Sequence, residues 1–97
     1  MPTLKAVVRA SVGLHARPAA VFVRAVTETG LPVTIAKDGT PQVDARSLLQ
    51  VMTADFHHGC EVELGISESA LDGAQSRRDA EEALRELSDL LESQGAA

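Results

Sequence analysis

Apolar residues recur along this chain at two different periods. Ala19, Phe22, Val23 and Val26 stand at i, i+3, i+4 and i+7, with Arg24, Thr27 and Glu28 off the stripe. That spacing predicts an amphipathic helix over about Ala16–Thr29, stopped by Gly30 and Pro32. Ala80, Ala83, Leu84, Leu87 and Leu91 trace one apolar face of a long closing helix ending near Ser93, with Gly95 just beyond it. Ser76-Arg77-Arg78-Asp79 is a weak capping box for its start, Asp replacing the usual Glu. Val62, Leu64 and Ile66 instead alternate with polar neighbours over residues 60–66, the period of a half-buried strand.

The remaining segments read from turn chemistry. Residues 3–9 and 33–36 are strands, the first with imperfect alternation. Asp38-Gly39 is a hairpin turn into a short strand near Gln42–Val43, which Pro41 limits to a sheet edge. A short helix is expected from Ser47 to about Thr53, and residues 67–75 read as a Ser/Asp/Gly/Ala linker. The order is strand, helix, strand, strand, helix, strand, helix. It packs most economically as an α+β fold, an open-faced β-sandwich with three helices on one face of a four-stranded, mainly antiparallel sheet. Its 97 residues suffice for a single domain, 1–97, with one core.

Composition narrows the function classes. Phe22 and Phe56 are the only aromatic residues and the formal net charge is −5, so neither a base-stacking surface nor a basic footprint for nucleic acid is present. The acidity is uneven. Up to Arg24 the chain has Lys5, Arg9, Arg17 and Arg24 but no Asp or Glu, so this end can face an acidic partner. Cys60 is the single cysteine and cannot form an internal disulfide, which points to a reducing, cytoplasmic setting. Lys5, Arg9, His15 and Arg17 interrupt every apolar run in the first twenty residues, so neither a leader nor a membrane span is expected.

The chemistry concentrates in Gly13-Leu14-His15-Ala16-Arg17-Pro18. Pro18 lacks an N–H and fits only the first turn of a helix, which sets the helix start just upstream. His15 then falls at about the N-cap, with the N–H groups of Ala16 and Arg17 unpaired. Free N–H groups at the positive end of a helix form an anion site, and Arg17 adds a planar, permanently charged fork for phosphate oxygens. Gly13 allows close backbone approach. A ring nitrogen of His15 is thereby a nucleophile beside an oxyanion nest. An isolated histidine before a helix is otherwise a capping or surface residue.

Gly-Leu-His-Ala-Arg-Pro-Ala resembles the active-site signature of the histidine-containing phosphocarrier (HPr) family of the bacterial phosphoenolpyruvate–sugar phosphotransferase system. Ser47, followed by Leu48, Leu49, Val51 and Met52, is similar to the family's second signature in distance and order, and the element order agrees over nearly the whole chain. The resemblance implies a phosphoryl carrier rather than an autonomous enzyme, monomeric and without a cofactor. Nδ1 of His15 would accept the group from phosphorylated enzyme I, charged from phosphoenolpyruvate, and yield it to an enzyme IIA component for sugar uptake. Arg17 would orient the phosphoryl oxygens and the amides of Ala16 and Arg17 would bind them. Leu48, Leu49 and Met52 match the family's exposed docking patch, and in relatives with a dedicated kinase the serine matching Ser47 is phosphorylated. Without the resemblance, Ser47 is a helix N-cap, and these apolar residues, Val51 above all, are core.

Three departures from the family pattern stand out. Val12 replaces a small polar residue beside the site, Asp55 stands where a helix-ending glycine is common, and the Pro41 region is one residue longer. His57, His58 and Cys60 are the closest approach to a metal-ligand set, but adjacent histidines in a loop rarely converge on one ion, so no metal site is expected. Cys60 reads as a small buried residue at a strand start. The rival functional class is an HPr-like regulatory binding module of carbon or nitrogen metabolism; the presence of both His15 and Arg17 favours the carrier. An autonomous enzyme would require a paired acid and base, a phosphate-cradling Gly-rich loop or a metal cluster.

Overall fold

A computed structural model of the chain describes residues 2–67, 69, 71 and 73–94. The alternating segment becomes β4 (Glu61–Ile66), which lies inside a four-stranded sheet between β1 (Thr3–Val7) and β2 (Val33–Lys37). Val62, Leu64 and Ile66 are buried while Glu61 and Glu63 face outward, as the period of two demands. Both pairings are antiparallel, with Leu64 opposite Leu4 on one side and Ile35 on the other. The sheet order is β1-β4-β2-β3, with β3 (Val43–Asp44) on the edge, where Pro41 places it.

Two helices connect strands, α1 (Ala16–Thr29) and α2 (Leu48–Thr53), and a third, α3 (Gly73–Ser93), follows β4. The stripe predicted for α1 is the stripe that is buried: Ala19, Phe22 and Val26 are inaccessible, with Val23 partly buried beside them. On α3, Ala80, Ala83, Leu84, Leu87 and Leu91 are all buried. All of these but Ala83 join Val8, Leu14, Val33, Ile35, Val51 and Phe56 in one core cluster. The end of α3 is also tied to the first turn of α1, because Gln94 Nε2 donates to the Pro18 carbonyl at 3.0 Å.

Several boundaries differ from the sequence expectation. α3 begins at Gly73, so Ser76 lies inside the helix and residues 73–75 are not linker. Ala and Gln are strong helix formers, and Ala74-Gln75 carry the helix back past the weak capping box. Gly95, expected beyond the helix, lies outside the described residues. β1 ends at Val7 rather than residue 9, although the Val8 N–H still donates to the Cys60 carbonyl at 2.9 Å. β3 starts one residue later than expected and β2 runs one residue longer. The Asp38-Gly39 turn is present but not as a two-residue loop. Ile35 pairs with Val43, Gly39 has φ +81°, and the Thr40 N–H donates to the Lys37 carbonyl at 3.1 Å. Asp38 is not left-handed, so the turn is not the doubly left-handed type that closes the tightest hairpins.

One close approach positions the loop before α1. Gly13 has φ +73°, and a Cβ built there would lie 2.7 Å from the Phe56 carbonyl oxygen and 3.0 Å from the His57 Cα. The neighbouring Leu14 N–H donates to that same Phe56 carbonyl at 2.8 Å, and the Leu14 side chain is fully buried. Only glycine satisfies both the left-handed backbone and the clearance. Gly13→Ala is therefore expected to cost about 2–3 kcal/mol, read as a lower urea midpoint at unchanged slope; a loss under about 0.5 kcal/mol, the scale of a surface change, would contradict this packing.

Cys60 is buried at the entrance to β4, and that burial pushes its thiol pKa up. A raised acid pKa in the folded state means that the neutral thiol's contribution to stability is complete below the unfolded value. It is lost as pH rises above about 8.5. A disulfide reagent at neutral pH should accordingly label Cys60 slowly in the native protein and at once in urea. Equal rates would show the thiol to be open.

Candidate functional site

The site is built where α1 starts. His15 is the N-cap of α1, with extended backbone (φ −130°, ψ 159°) and no side-chain capping bond. The first N–H groups of the helix are therefore not occupied by the imidazole, which is half-buried, its side chain 37% exposed. Ala16, the next residue, has φ +51°, one of two left-handed non-glycine residues among those described. An alanine in that region costs about 1–2 kcal/mol. In return, a left-handed residue followed by the helical Arg17 turns successive N–H groups to one side, the geometry of an anion-binding nest. Pro18 has no N–H to add, so the nest consists of the Ala16 and Arg17 amides. The dipole of α1 adds partial positive charge at the same place.

Arg17 is exposed and in the first turn of α1, and it takes part in none of the ion pairs drawn among the described residues. Its guanidinium is thus not committed to a carboxylate there. The side-chain partner of His15 is Asp55, whose Oδ1 lies 3.4 Å from Nε2. Asp55 is the second left-handed non-glycine residue, at φ +57°, just past Ala54, which ends α2. Lys37 Nζ donates to its carbonyl oxygen at 2.8 Å. His15, Ala16 and Arg17 follow one another at the start of α1, and the side chain that meets the imidazole is that of Asp55. Its only signal was an aspartate in a helix-ending position that suits glycine.

Ser47 is the N-cap of α2 and accepts a hydrogen bond from the Gln50 N–H at 3.2 Å. The approach to it is fixed by Asp44 and Arg46. Arg46 donates from both its backbone N–H and Nε to Asp44 Oδ1, at 2.9 and 3.0 Å, and these bonds hold the Asp44 carboxyl below the usual carboxylate range. On α2, Leu49 is 74% exposed and Leu48 40%, whereas Val51 is fully buried and Met52 only partly so. The three residues expected to form a docking patch therefore divide by exposure. Leu48 and Leu49 lie at the surface, and Met52, partly buried, packs against the core. Val12, next to the site loop, is also exposed.

His57 and His58 are exposed and do not converge with Cys60; His58 Nδ1 lies 3.2 Å from the Ala10 carbonyl oxygen. Among the described residues no group of three His, Cys, Asp or Glu side chains is arranged to hold a metal ion. No helix of the described residues is long and apolar enough to cross a membrane.

A histidine at a helix start, flanked by a backbone nest and an uncommitted arginine, can accept an anionic electrophile and hold it in the open. Comparison with known proteins places this arrangement in a family. Residues 3–93 match the model of the PTS-HPr family, described as the PTS HPr component phosphorylation site. Over 66 residues, 67% of this chain and 70% of the relative, the sequence is 50% identical to the phosphocarrier protein HPr of Streptomyces coelicolor. The fold superposes on the crystal structure of HPr-C-His from Thermoanaerobacter tengcongensis with a TM-score of 0.80 at 31% identity, covering 100% of this chain and 98% of that one. It also superposes on a phosphocarrier protein HPr from Bacillus anthracis with a TM-score of 0.70 at 28% identity, covering 93% and 95%. With the family model spanning residues 3–93, a relative half identical in sequence and the fold in agreement, the chain belongs to the HPr family of phosphocarrier proteins of the phosphotransferase system.

Proposed function

We infer that this chain carries its phosphoryl group on Nδ1 of His15. It takes the group from phosphorylated enzyme I, which is charged from phosphoenolpyruvate, and passes it to an enzyme IIA component that serves sugar uptake in the cytoplasm. The observation that carries this reading is the half-exposed imidazole at the N-cap of α1, uncapped and beside the Ala16–Arg17 nest. A carrier must release its group as readily as it accepts it. An open site held by two amides and one exposed guanidinium meets that need better than a closed pocket, since binding the phosphoryl form too tightly would only deepen a resting state. The protein acts as a monomer and needs no cofactor, because the donor supplies the reactive phosphorus–nitrogen bond. It holds and orients the group and is not an autonomous enzyme.

Leu48 and Leu49 provide the apolar part of the docking surface, with Met52 lending mostly packing. The excess of basic residues in the first part of the chain suits acidic partner surfaces. Ser47 is the regulatory position. A phosphate there would remain compatible with the helix N-terminus but would put negative charge beside Leu48 and repel an acidic partner.

Incubation with enzyme I and phosphoenolpyruvate is expected to add one acid-labile phosphoryl group, read by intact mass, and none in His15→Ala. An adduct that persists in His15→Ala, or one stable to acid, would contradict the assignment. Arg17→Ala should leave the melting temperature unchanged, the side chain being exposed, and slow transfer by about 10- to 100-fold, at or below the loss of one oxyanion donor. Unchanged transfer would remove Arg17 from the site.

A further inference from the structure

The relay described above makes no use of Asp55, yet its carboxylate is the side-chain group that meets the reacting ring. Oδ1 of Asp55 lies 3.4 Å from Nε2 of His15, and the two side chains come from loops that are tied together. The Leu14 N–H, one residue before His15, donates to the carbonyl of Phe56, one residue after Asp55, at 2.8 Å. Lys37 Nζ holds the Asp55 carbonyl itself at 2.8 Å. Neither group therefore reaches the other on a long, freely rotating stem. Asp55 is also left-handed, at φ +57°, where glycine would sit without steric cost. The residue present is the one that supplies a carboxylate at the expense of backbone ease.

We propose that Asp55 is a positioning residue for His15: it accepts a hydrogen bond from Nε2–H and so reserves Nδ1 as the nucleophile. The proposal rests on the reading of His15 as the phosphoryl acceptor. The two ring nitrogens are distinct, and the hydrogen bond made by one fixes the tautomer and leaves the lone pair on the other. In the transfer step the Nδ1 lone pair forms the bond to phosphorus. The donor's bond to that phosphorus breaks, and its electron pair departs with the donor. Nε2 keeps its proton throughout, so the phosphorylated ring gains a positive charge, and Asp55 is the carboxylate beside that charge. When the group moves on, the Nδ1–phosphorus bond breaks, its pair returns to Nδ1 and the ring is neutral again. No other proton donor or acceptor is required. The Asp55 side chain is 71% exposed and that of His15 37%, so the contact is solvent-screened and its effect on rate is modest.

Two substitutions separate this role from a structural one. Asp55→Gly removes the carboxylate while suiting the left-handed backbone, and is expected to melt no lower than the parent. Asp55→Asn keeps an acceptor oxygen without the charge. Ring nitrogen spectra of the unphosphorylated proteins, recorded at about pH 9 where imidazole is neutral, should show the Nε2–H tautomer dominant in the parent. That dominance should weaken in Asp55→Gly and be partly retained in Asp55→Asn. Transfer from enzyme I should slow by about three- to tenfold in Asp55→Gly, the scale of an exposed charge-assisted contact. An Asp55→Gly protein with the parent's tautomer balance, or with transfer within twofold of the parent's, overturns the proposal. A parent protein that takes no phosphoryl group at all overturns the acceptor reading instead. That failure is seen without any variant, and the ring spectra still decide the Asp55 contact.

Discussion

The backbone contact between Gly13 and the Phe56–His57 segment is the constraint on which the site depends. A glycine without clearance for even one carbon lies against a carbonyl that also receives the Leu14 N–H. This joins the loop leading into α1 to the loop leading out of α2. Leu14 and Phe56 are both fully buried, so the contact is anchored in the core on each side. Its consequence is positional: His15 lies one residue after Leu14 and Asp55 one residue before Phe56. The pairing of imidazole and carboxylate follows from packing that neither side chain takes part in.

The same region holds the backbone strain. Ala16 and Asp55, the two left-handed non-glycine residues among those described, flank the one histidine that has a carboxylate partner. At about 1–2 kcal/mol for a general residue, and less for Asp, which visits this region more readily, the pair costs a meaningful fraction of a small domain's net stability. The core below offsets that cost. Phe22 and Val26 of α1, Leu64 of β4 and Leu84 of α3 are all inaccessible to solvent, and burial of each such side chain contributes roughly 1.5–3 kcal/mol. The strained residues lie on loops and helix ends, where backbone can deviate without breaking the sheet ladder. Strain of this kind is tolerated where the surrounding structure over-determines the conformation, and here Gln94, Lys37 and the Phe56 carbonyl each fix part of it.

Most of the architecture was legible because periodicity and burial report the same physics. Val62, Leu64 and Ile66 alternate because one face of β4 is covered, and Ala19, Phe22 and Val26 repeat because one face of α1 is. His15 was legible because Pro18 restricts where a helix can begin, and Ser47 because a hydroxyl caps the N–H three residues on. Boundaries were less so. Ser76 carries a capping pattern, but good helix formers before it extend α3 to Gly73. Asp55 lay further out of reach. Its meeting with His15 spans forty residues of sequence and arises from a long-range backbone contact that no local pattern encodes. The left-handed turn at Ala16 was hidden for a similar reason, since alanine is the last residue that propensity would assign to it.

With Nε2 of His15 turned toward Asp55, the proposed phosphoryl acceptor is one nitrogen of one histidine, Nδ1 of His15. The most direct measurement is the ring nitrogen spectrum of the phosphorylated, isotope-labelled protein, in which phosphorus–nitrogen coupling identifies the bonded atom. The expected result is coupling at Nδ1 of His15 with Nε2 protonated. Phosphorus on Nε2, or on His57 or His58, would contradict it.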